Sequence, residues 1–464
     1  MKKLTEEKIY IYLALIFGIL FVFLTPPFLS PDEDTHFLKS YSVSRGLAYP
    51  KAKKKNLGNY FPKEMLKEIN EKLEFNNDMK EKYSYLDYFN EQFDQLNYQK
   101  KKFLSYSTQS MFPLAYLAPA VGIIFSKFMS FIFNLDYTSV SYMLQFARVF
   151  SLILSVSIIY LAIKTTPILK KLMMASALIP TSLFLCSMVT YDSILISCTL
   201  LAIAVMLKLI CDKKEKKITK KDIIILILTG LILLNVKIIY SFIFVLLFFV
   251  PKEKFNGQKN KYKMLFIIAA VILLLTAIFK LPTYFTSVKP AANPKIAAQY
   301  NFIFKHPFKY LGYIKDNLIR KRLFFINTMF GGFGLLDTYL PLALVSAYIL
   351  FLPILAVSES STDKYVINIK MKLVYFIGIV LCVIGIFTAM YTGWTILFFP
   401  IGSQDIAGVQ GRYFLPLALP SMMLLTSHKL KDNKIFKIVR DNYFIIPTIA
   451  LSVSIAFILL RFWV

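Results

Sequence analysis

The chain has 464 residues, of which 57% are hydrophobic, and a formal net charge of +27. Its mean hydropathy of +0.58 excludes an ordinary soluble domain, and its repeated apolar runs are long enough to cross a bilayer. Nucleic acid is not expected as a partner, because Lys and Arg occur in short clusters between apolar runs rather than on one domain. We therefore expect an all-α polytopic membrane protein.

The first apolar run covers about residues 9–29 and is followed by Pro31-Asp32-Glu33-Asp34-Thr35-His36. No small-x-small cleavage site follows this run, so we interpret it as a membrane-spanning helix and not as a signal peptide. Ionisable groups at a membrane boundary are costly unless they are used. The cluster therefore predicts a functional site that faces water at the mouth of a membrane cavity.

Basic clusters set the predicted orientation. Short loops rich in Lys and Arg are placed in the cytoplasm together with the N-terminus, at residues 164–171, 213–221, 252–263, 364–372 and 429–440. The intervening turns near residues 190–192, 235–237 and 393–410 then face outward. The run 222–250 is too long for one helix, and we interpret it as two short helices that meet near Lys237. The count is about eleven spans in a bacterial plasma membrane.

Residues 111–133 and 141–163 cannot both cross without inverting this orientation. We expect segment 111–133, which contains Pro113, Pro119 and Lys127, to lie in the outer interface. Within one membrane domain, 1–464, the large extracytoplasmic loops are then 30–140, with juxtamembrane helices, and 282–336. Charge alternates between Pro62 and Glu81, which predicts an amphipathic helix; a solvated helical loop is the alternative. Its apolar side consists of Met65, Leu66, Ile69 and Leu73.

Polar side chains from distant stretches of sequence converge on the predicted outer face. They are Asp32, Glu33, Asp34, His36, Asp192, Lys237, Asp337, Gln410, Arg412 and Tyr413. Plainer roles exist for three of the charged groups. Asp192 could cap a helix beginning at Ser193. Lys237 could only snorkel, and Arg148 could pair structurally with an acid.

The stretch Gly408-Val409-Gln410-Gly411-Arg412-Tyr413 suits a phosphate, because glycines let backbone N–H groups approach and arginine adds a fixed charge. Acids beside such an arginine fit group transfer to a hydroxyl or amine. Nucleotide sugars are not available outside the cytoplasm, so an activated sugar would arrive as a lipid-linked phosphate. The absence of a Walker loop or a dinucleotide fingerprint agrees with this.

This arrangement resembles the GT-C superfamily of integral membrane glycosyltransferases, which place catalytic acids directly after the first span and use polyprenyl-phosphate sugars. The chain is also identified as a member of a bacterial family of predicted membrane proteins of unknown function. The matching motifs cover about residues 25–420 and are Pro31-Asp32-Glu33 with His36, Tyr116 and Pro119 with Arg148, Tyr191-Asp192, Lys237 with Tyr240, Gly331 to Asp337, and Gly408 to Tyr413. Ser30-Pro31 departs from the two prolines usual in that family.

The resemblance implies roles for these residues. Asp32 is the leading base, with Asp34 and Glu33 as rivals, and Glu33 or His36 would orient it. A divalent cation, Mg²⁺ or Mn²⁺, is possible between Asp32 and Asp192. The groups implied for donor phosphate or lipid are Arg412, Gln410, Lys237, Arg148 and Arg320, with Asp192, Asp337 and Tyr413 in support.

The implied activity transfers a sugar from a polyprenyl-phosphate donor to a cell-envelope polysaccharide, teichoic acid or glycolipid. The alternative is a flippase or transporter of a lipid-linked saccharide. Such transporters often contain internal repeats, and the sequence shows no convincing repeat. An acid cluster confined to one mouth also suits chemistry better than a through-path, so we favour the enzyme.

Overall fold

The computed structural model describes residues 4–53, 56–74, 81–84, 86, 88, 90, 100–133, 139–212, 217–284, 293–362, 367–427 and 433–463. The α-helices are α1 Glu6–Leu24, α2 Glu33–Ser44, α3 Lys63–Glu74, α4 Leu117–Ile132, α5 Val140–Thr165, α6 Lys170–Ala177, α7 Pro180–Cys186, α8 Tyr191–Cys211, α9 Lys220–Val236, α10 Gln258–Tyr284, α11 Pro294–Lys305, α12 Pro307–Arg320, α13 Arg322–Phe330, α14 Leu342–Ser360, α15 Ile369–Gly393, α16 Ala418–Met423, α17 Lys434–Asp441 and α18 Ile445–Phe462. The strands are β1 Lys51–Lys53, β2 Asn56–Pro62, β3 Lys101–Leu104, β4 Gly332–Phe333 and β5 Thr338–Tyr339.

The protein is an all-α polytopic membrane protein, as the sequence predicts. Within the described residues, eight helical segments are long and apolar enough to cross a membrane: Glu6–Leu24, Pro113–Ile132, Val140–Thr165, Tyr191–Cys211, Gln258–Pro282, Leu342–Ser360, Ile369–Leu397 and Ile445–Phe462. This is fewer than the eleven expected. Part of the difference lies between α5 and α8, where the chain forms the two short helices α6 and α7 instead of one long one. The break falls just before Pro180, because a proline disfavours the helical conformation of the residue before it and cannot continue a helix.

The core centres on α8. In its membrane-spanning window 89% of the residues are buried, a larger share than in any other candidate span. α5, α7 and α9 all pack against it. Its first turn, which carries Asp192, therefore lies at the centre of one end of the bundle. We call this the site end; α1 ends and α8 begins there.

The break predicted near Lys237 is confirmed. α9 ends at Val236, Lys237 is extended, and a 3₁₀ helix follows over Ile238–Phe249. The sequence did not predict that the second segment is 3₁₀, a form that is uncommon beyond about 3–4 residues. The break exposes Lys237 at the end of both segments instead of burying it in the middle of a span.

The segment predicted to lie in the interface forms a 3₁₀ turn, Pro113–Tyr116, and α4. Its length and composition place it among the helices that could cross. Its contacts, however, lie on the first half of α5: a Cβ on Gly122 would come within 2.4 Å of the Phe146 carbonyl oxygen. The same half of α5 contacts the end of α1 through Arg148. α4 therefore lies at the site end, and an interfacial position stays a prediction.

The first large loop contains an antiparallel sheet of order β1-β2-β3, which the sequence did not predict. The predicted amphipathic helix is confirmed as α3, with Met65 and Ile69 buried; residues 75–80 of the predicted stretch lie outside the described part of the chain. The Glu68 carboxylate accepts the backbone N–H groups of Val140 and Ser141 at 3.2 and 3.1 Å. It thereby fixes the loop to the first turn of α5.

The second large loop forms α11, α12 and α13, with residues 285–292 outside the described chain. A short antiparallel hairpin follows, in which β4 and β5 have two residues each. Gly334 in its turn has φ of +62°, and a Cβ there would lie 2.1 Å from an Asp337 carboxylate oxygen. Glycine is needed at this position, both for the backbone conformation and for space.

Candidate functional site

Two adjacent acids at the start of α2 have different environments. The Glu33 carboxylate is fully buried and lies 2.9 Å from Arg148 Nε and 2.5 Å from Nη2. Arg148 also donates to the carbonyl oxygens of Val22, Thr25 and Pro26. All five N–H bonds of the guanidinium are thus used. The structural alternative for Arg148 holds, and its implied role in phosphate binding is corrected.

Glu33 is also corrected as a candidate for catalysis. Its Oε1 accepts the backbone N–H of Val189 at 3.0 Å in addition to the Arg148 bond. With no exposed surface, its carboxylate cannot reach an acceptor in water. Glu33 and Arg148 therefore join the end of α1, the start of α2, α5 and the loop before α8.

Asp32 is the exposed member of the acid pair. Its side chain is 58% exposed, and its Oδ2 lies 2.5 Å from Arg412 Nη2. Asp32 occupies the N-cap position of α2 in a left-handed conformation, φ 61°, yet its carboxylate makes no capping bond. Such a backbone costs about 1–3 kcal/mol and persists where the surroundings impose it. The carboxylate is thereby held at the surface, free of a local structural role.

The pKa of Asp32 lies below its usual value. Partial burial raises this pKa, but the charge and hydrogen bond of Arg412, together with Lys237, lower it by more. Asp34 behaves differently: burial raises its pKa, and the neighbouring charge of Asp32 adds to the effect. Among the described residues no ion pair is found for Asp34. Because the pKa values of Asp32 and Asp34 are shifted in opposite directions, titration distinguishes the two acids.

Arg412 joins Asp32 to Asp192. Its side chain is only 3% exposed, and its Nη1 lies 3.5 Å from Asp192 Oδ2. Thr190, and not Asp192, caps α8 by accepting the backbone N–H of Asp192 at 3.2 Å. The capping alternative for Asp192 is therefore wrong, and its carboxylate is directed to the cations of the site.

Lys237 lies between two tyrosine rings. Its Nζ is 4.0 Å from the Tyr413 ring centroid, 4.8 Å from that of Tyr191 and 3.6 Å from Asp192 Oδ1. The Tyr240 hydroxyl donates to the Tyr413 carbonyl at 2.6 Å and fixes this wall. The side chain is 18% exposed. Lys237 therefore does not simply snorkel; it belongs to the site and is the more accessible of its two cations.

His36 forms the back of the site. Its Nδ1 lies 2.8 Å from the Tyr116 hydroxyl, and its ring meets the Tyr191 ring edge-on at 4.9 Å. Burial lowers the pKa of His36 to about 4, so the ring is uncharged at neutral pH. A neutral imidazole beside Asp32 can orient groups but brings no positive charge to a phosphate.

The glycines around Gln410 have structural causes, and phosphate binding by this stretch stays a prediction. The Gly411 N–H donates to Thr328 Oγ1 at 2.8 Å, and a Cβ on Gly411 would lie 1.9 Å from the Phe325 carbonyl oxygen. Gly408, with φ of +80°, packs on the Trp394 ring. Gln410 precedes the 3₁₀ turn Gly411–Leu417, and its Oε1 is buried without a hydrogen-bond partner.

Two predicted site residues have partners of their own. Arg320 forms a surface pair with Asp405 at 3.0 Å, both about half exposed. Asp337 accepts from Arg461 Nε at 2.9 Å, a partner that the sequence did not suggest. No ion pair among the described residues connects either one to Arg412 or Lys237. Both residues therefore lie outside the cluster around Arg412 and Lys237, and their implied donor and supporting roles stay predictions.

The pair suspected of binding a cation already has positive partners. Asp32 and Asp192 both contact the Arg412 guanidinium, and Asp192 also faces Lys237. In the described part of the chain, no group of three His, Cys, Asp or Glu side chains is placed to hold a metal ion. The donor set therefore does not fit a resident divalent cation.

Sequence reasoning missed the role of Tyr191. It is part of a matching motif, but only the fold shows that its ring contacts both Lys237 and His36. The signal available in the sequence is the position of a tyrosine directly before Asp192 at the start of an apolar run.

Fold and site together define a polytopic α-helical membrane protein with a cluster of acids, cations and tyrosines at one end of the bundle. The family described as "Predicted membrane protein (DUF2142)" matches residues 15–420, and the chain belongs to this family. Comparisons with curated proteins and with solved structures found no match.

Proposed function

We propose that the protein is a membrane glycosyltransferase that moves a sugar from a polyprenyl-phosphate donor to a hydroxyl of a cell-envelope polymer or glycolipid at the extracytoplasmic face. The observation that carries the proposal is the exposed Asp32 carboxylate held by a buried arginine beside Lys237. The likeness of the sequence motifs to GT-C enzymes and the positive-inside pattern support it.

The chemistry requires a base for the acceptor hydroxyl and a positive charge for the leaving phosphate. Asp32 takes the proton as the acceptor oxygen bonds to the anomeric carbon. The bond from that carbon to the phosphate oxygen breaks, and its electron pair leaves with the lipid phosphate. General-base assistance contributes about 10²–10⁴-fold to such a step.

Lys237 suits the phosphate better than Arg412 does. A phosphate would have to displace Asp32 to contact the nearly buried guanidinium, whereas the ammonium is partly open between the Tyr191 and Tyr413 rings. Arg412 is then a positioning residue that holds Asp32 and Asp192. Its charge also offsets the negative charge that develops on the leaving phosphate.

The test compares two aspartates that each pair with an arginine. A deletion strain is complemented with wild type, Asp32→Asn or Asp405→Asn at matched membrane levels, and the sugars of its purified envelope polymers are measured. Asp405 is the control because it is 44% exposed and pairs with Arg320 outside the site. We expect one sugar to disappear on deletion, to return with wild type and Asp405→Asn, and to stay absent with Asp32→Asn.

Equal restoration by both variants would exclude Asp32 as the base. If, in addition, the deletion strain accumulates the lipid-linked donor on the cytoplasmic side and Asp32→Asn clears it, the flippase alternative replaces the enzyme.

A further inference from the structure

The sheet of the first loop carries a cationic surface that the proposed reaction does not use. A cavity of about 420 Å³ on this sheet is lined mainly by Lys53, Lys63, Lys101, Lys102, Tyr60 and Phe103, which we call the lysine face. No Asp or Glu of the described chain lines the cavity. Among the described lining residues, the four lysines therefore have no carboxylate beside them.

Strand register explains how the lysine face forms. Alternate residues of a strand point to the same side, so Tyr60 is exposed while Asn59 and Phe61 are buried. β2 and β3 place Tyr60 opposite Phe103, and their rings meet edge-on at 5.3 Å. Lys53 Nζ lies 5.4 Å from each ring centroid. These cation–π contacts hold one of the four lysines over the rings.

The lysine face differs from the surface that suits lipid. On α11 and α12, Phe304 and Phe308 are 79% and 87% exposed beside Lys305 and Lys309, a pattern that favours insertion at a membrane interface. In the lysine face the most exposed large apolar side chain is Tyr60, at 39%. Binding to a bilayer surface needs apolar area as well as charge. A soluble polyanion fits the lysine face better.

The lysine face is also connected to the site through hydrogen bonds. Asn59 on β2 donates to Ser42 on α2 and to the Tyr106 hydroxyl, both at 3.1 Å. α2 begins directly after Asp32 and has 12 residues, which corresponds to about 18 Å. A chain of several charged repeats bound at the lysine face could therefore extend to the exposed carboxylate.

We propose that the lysine face binds an anionic polymer, with repeating phosphate or carboxylate groups on the lysines and an apolar or sugar face on Tyr60 and Phe103. This deepens the proposed function and rests on it, because it identifies the acceptor as a polyanion. The binding itself can be measured without the transfer reaction.

The test uses the full chain in nanodiscs of phosphatidylcholine, with fluorescent poly(glycerol phosphate) as the probe and neutral dextran of similar size as the comparison. One variant changes Lys53, Lys63, Lys101 and Lys102 to Gln. The control changes four exposed lysines of α11 and α12 to Gln, which removes the same charge: Lys295, Lys305, Lys309 and Lys315.

We expect the Kd for poly(glycerol phosphate) to rise at least about tenfold in the lysine-face variant and less than about threefold in the control, with a weaker dependence on salt in the former. Dextran should bind weakly to all three proteins. Equal losses in the two variants, or equal binding of dextran, would overturn the proposal. So would displacement of the probe by vesicles containing phosphatidylglycerol but not by unlabelled polymer, which would assign the face to lipid.

The outcomes separate this inference from the proposed function. Unchanged polymer binding by the lysine-face variant, with Asp32→Asn still inactive, contradicts the acceptor site alone. Loss of polymer binding as expected, with Asp32→Asn fully active, contradicts the proposed catalytic site and leaves the binding surface in place.

Discussion

Asp32 and Glu33 are neighbours in sequence and each pairs with an arginine, yet their environments are opposite. The Glu33–Arg148 pair has no exposed side-chain surface, whereas Asp32 is 58% exposed above a buried Arg412. In the first pair every guanidinium N–H has a partner. In the second, Arg412 Nε is buried without one. A complete and closed network indicates structure, and an incomplete and open one indicates a site.

The difference arises from backbone geometry. Asp32 is in a left-handed conformation just before α2, and Glu33 begins the helix. The two side chains therefore leave the chain in different directions, one toward water and one toward α5. The same contrast separates the two arginines, which lie on a membrane-spanning helix and on a 3₁₀ turn.

The largest loss of stability is expected when one partner of the buried Glu33–Arg148 pair is removed. Arg148→Met leaves Glu33 buried without a counter-charge and should destabilise the protein by about 3–5 kcal/mol. The measurement is the amount of monodisperse protein extracted in mild detergent and its Tm. In the double variant Arg148→Met, Glu33→Gln no charge remains buried, and we expect partial recovery. A Tm for Arg148→Met equal to that of wild type would contradict the structural role of the pair.

Removing the carboxylate of the partly exposed Asp32–Arg412 pair should reduce activity and leave the fold intact. Asp32→Asn removes the exposed partner of Arg412, but the buried guanidinium keeps the Asp192 carboxylate at 3.5 Å as a counter-charge. The loss should therefore lie near the value of about 1 kcal/mol typical of solvated pairs. We expect its Tm to lie close to that of wild type while transfer falls by about 10²–10⁴-fold. A decrease in Tm as large as that of Arg148→Met would show that the Asp32–Arg412 pair is structural too.

The acid limb of the pH–rate profile distinguishes Asp32 from Asp34. With Asp32 as the base, its lowered pKa keeps it ionised through neutral and mildly acid pH, and transfer should fall only below its ordinary value near 3.8. With Asp34 as the base, the raised pKa moves this fall above the same value. Initial transfer rates measured between about pH 3 and 8 distinguish the two bases. The control is the stability of the protein in each buffer.

The smallest effect is a shift of the acid limb of the pH–rate profile when Arg412 is substituted. Removing the guanidinium in Arg412→Met takes away the main group that lowers the pKa of Asp32, so the acid limb should move to higher pH. Arg412→Lys keeps a positive charge and should shift it less. A limb that does not move in Arg412→Met, in protein with a Tm near that of wild type, would contradict Asp32 as the titrating base.

The sequence could predict that polar groups meet at one end of the helix bundle, because apolar runs and basic clusters can be recognised within short stretches of sequence. They indicated the helical membrane class, the break at Lys237 and the amphipathic helix that contains Met65 and Ile69. They also brought Asp32, Asp192, Lys237 and Arg412 to one end of the bundle. Their contacts in the structure agree with this.

The sequence by itself determined which residues are charged and at which boundary of an apolar run they lie. Only the tertiary structure decided which charges are buried in structural pairs and which remain accessible. Glu33, Arg148 and Asp337 have partners that are far away in the chain. The physical reason is that the availability of a charged group depends on its burial and on the number of its hydrogen-bond partners. Both are set by packing between distant helices, which local spacing does not encode.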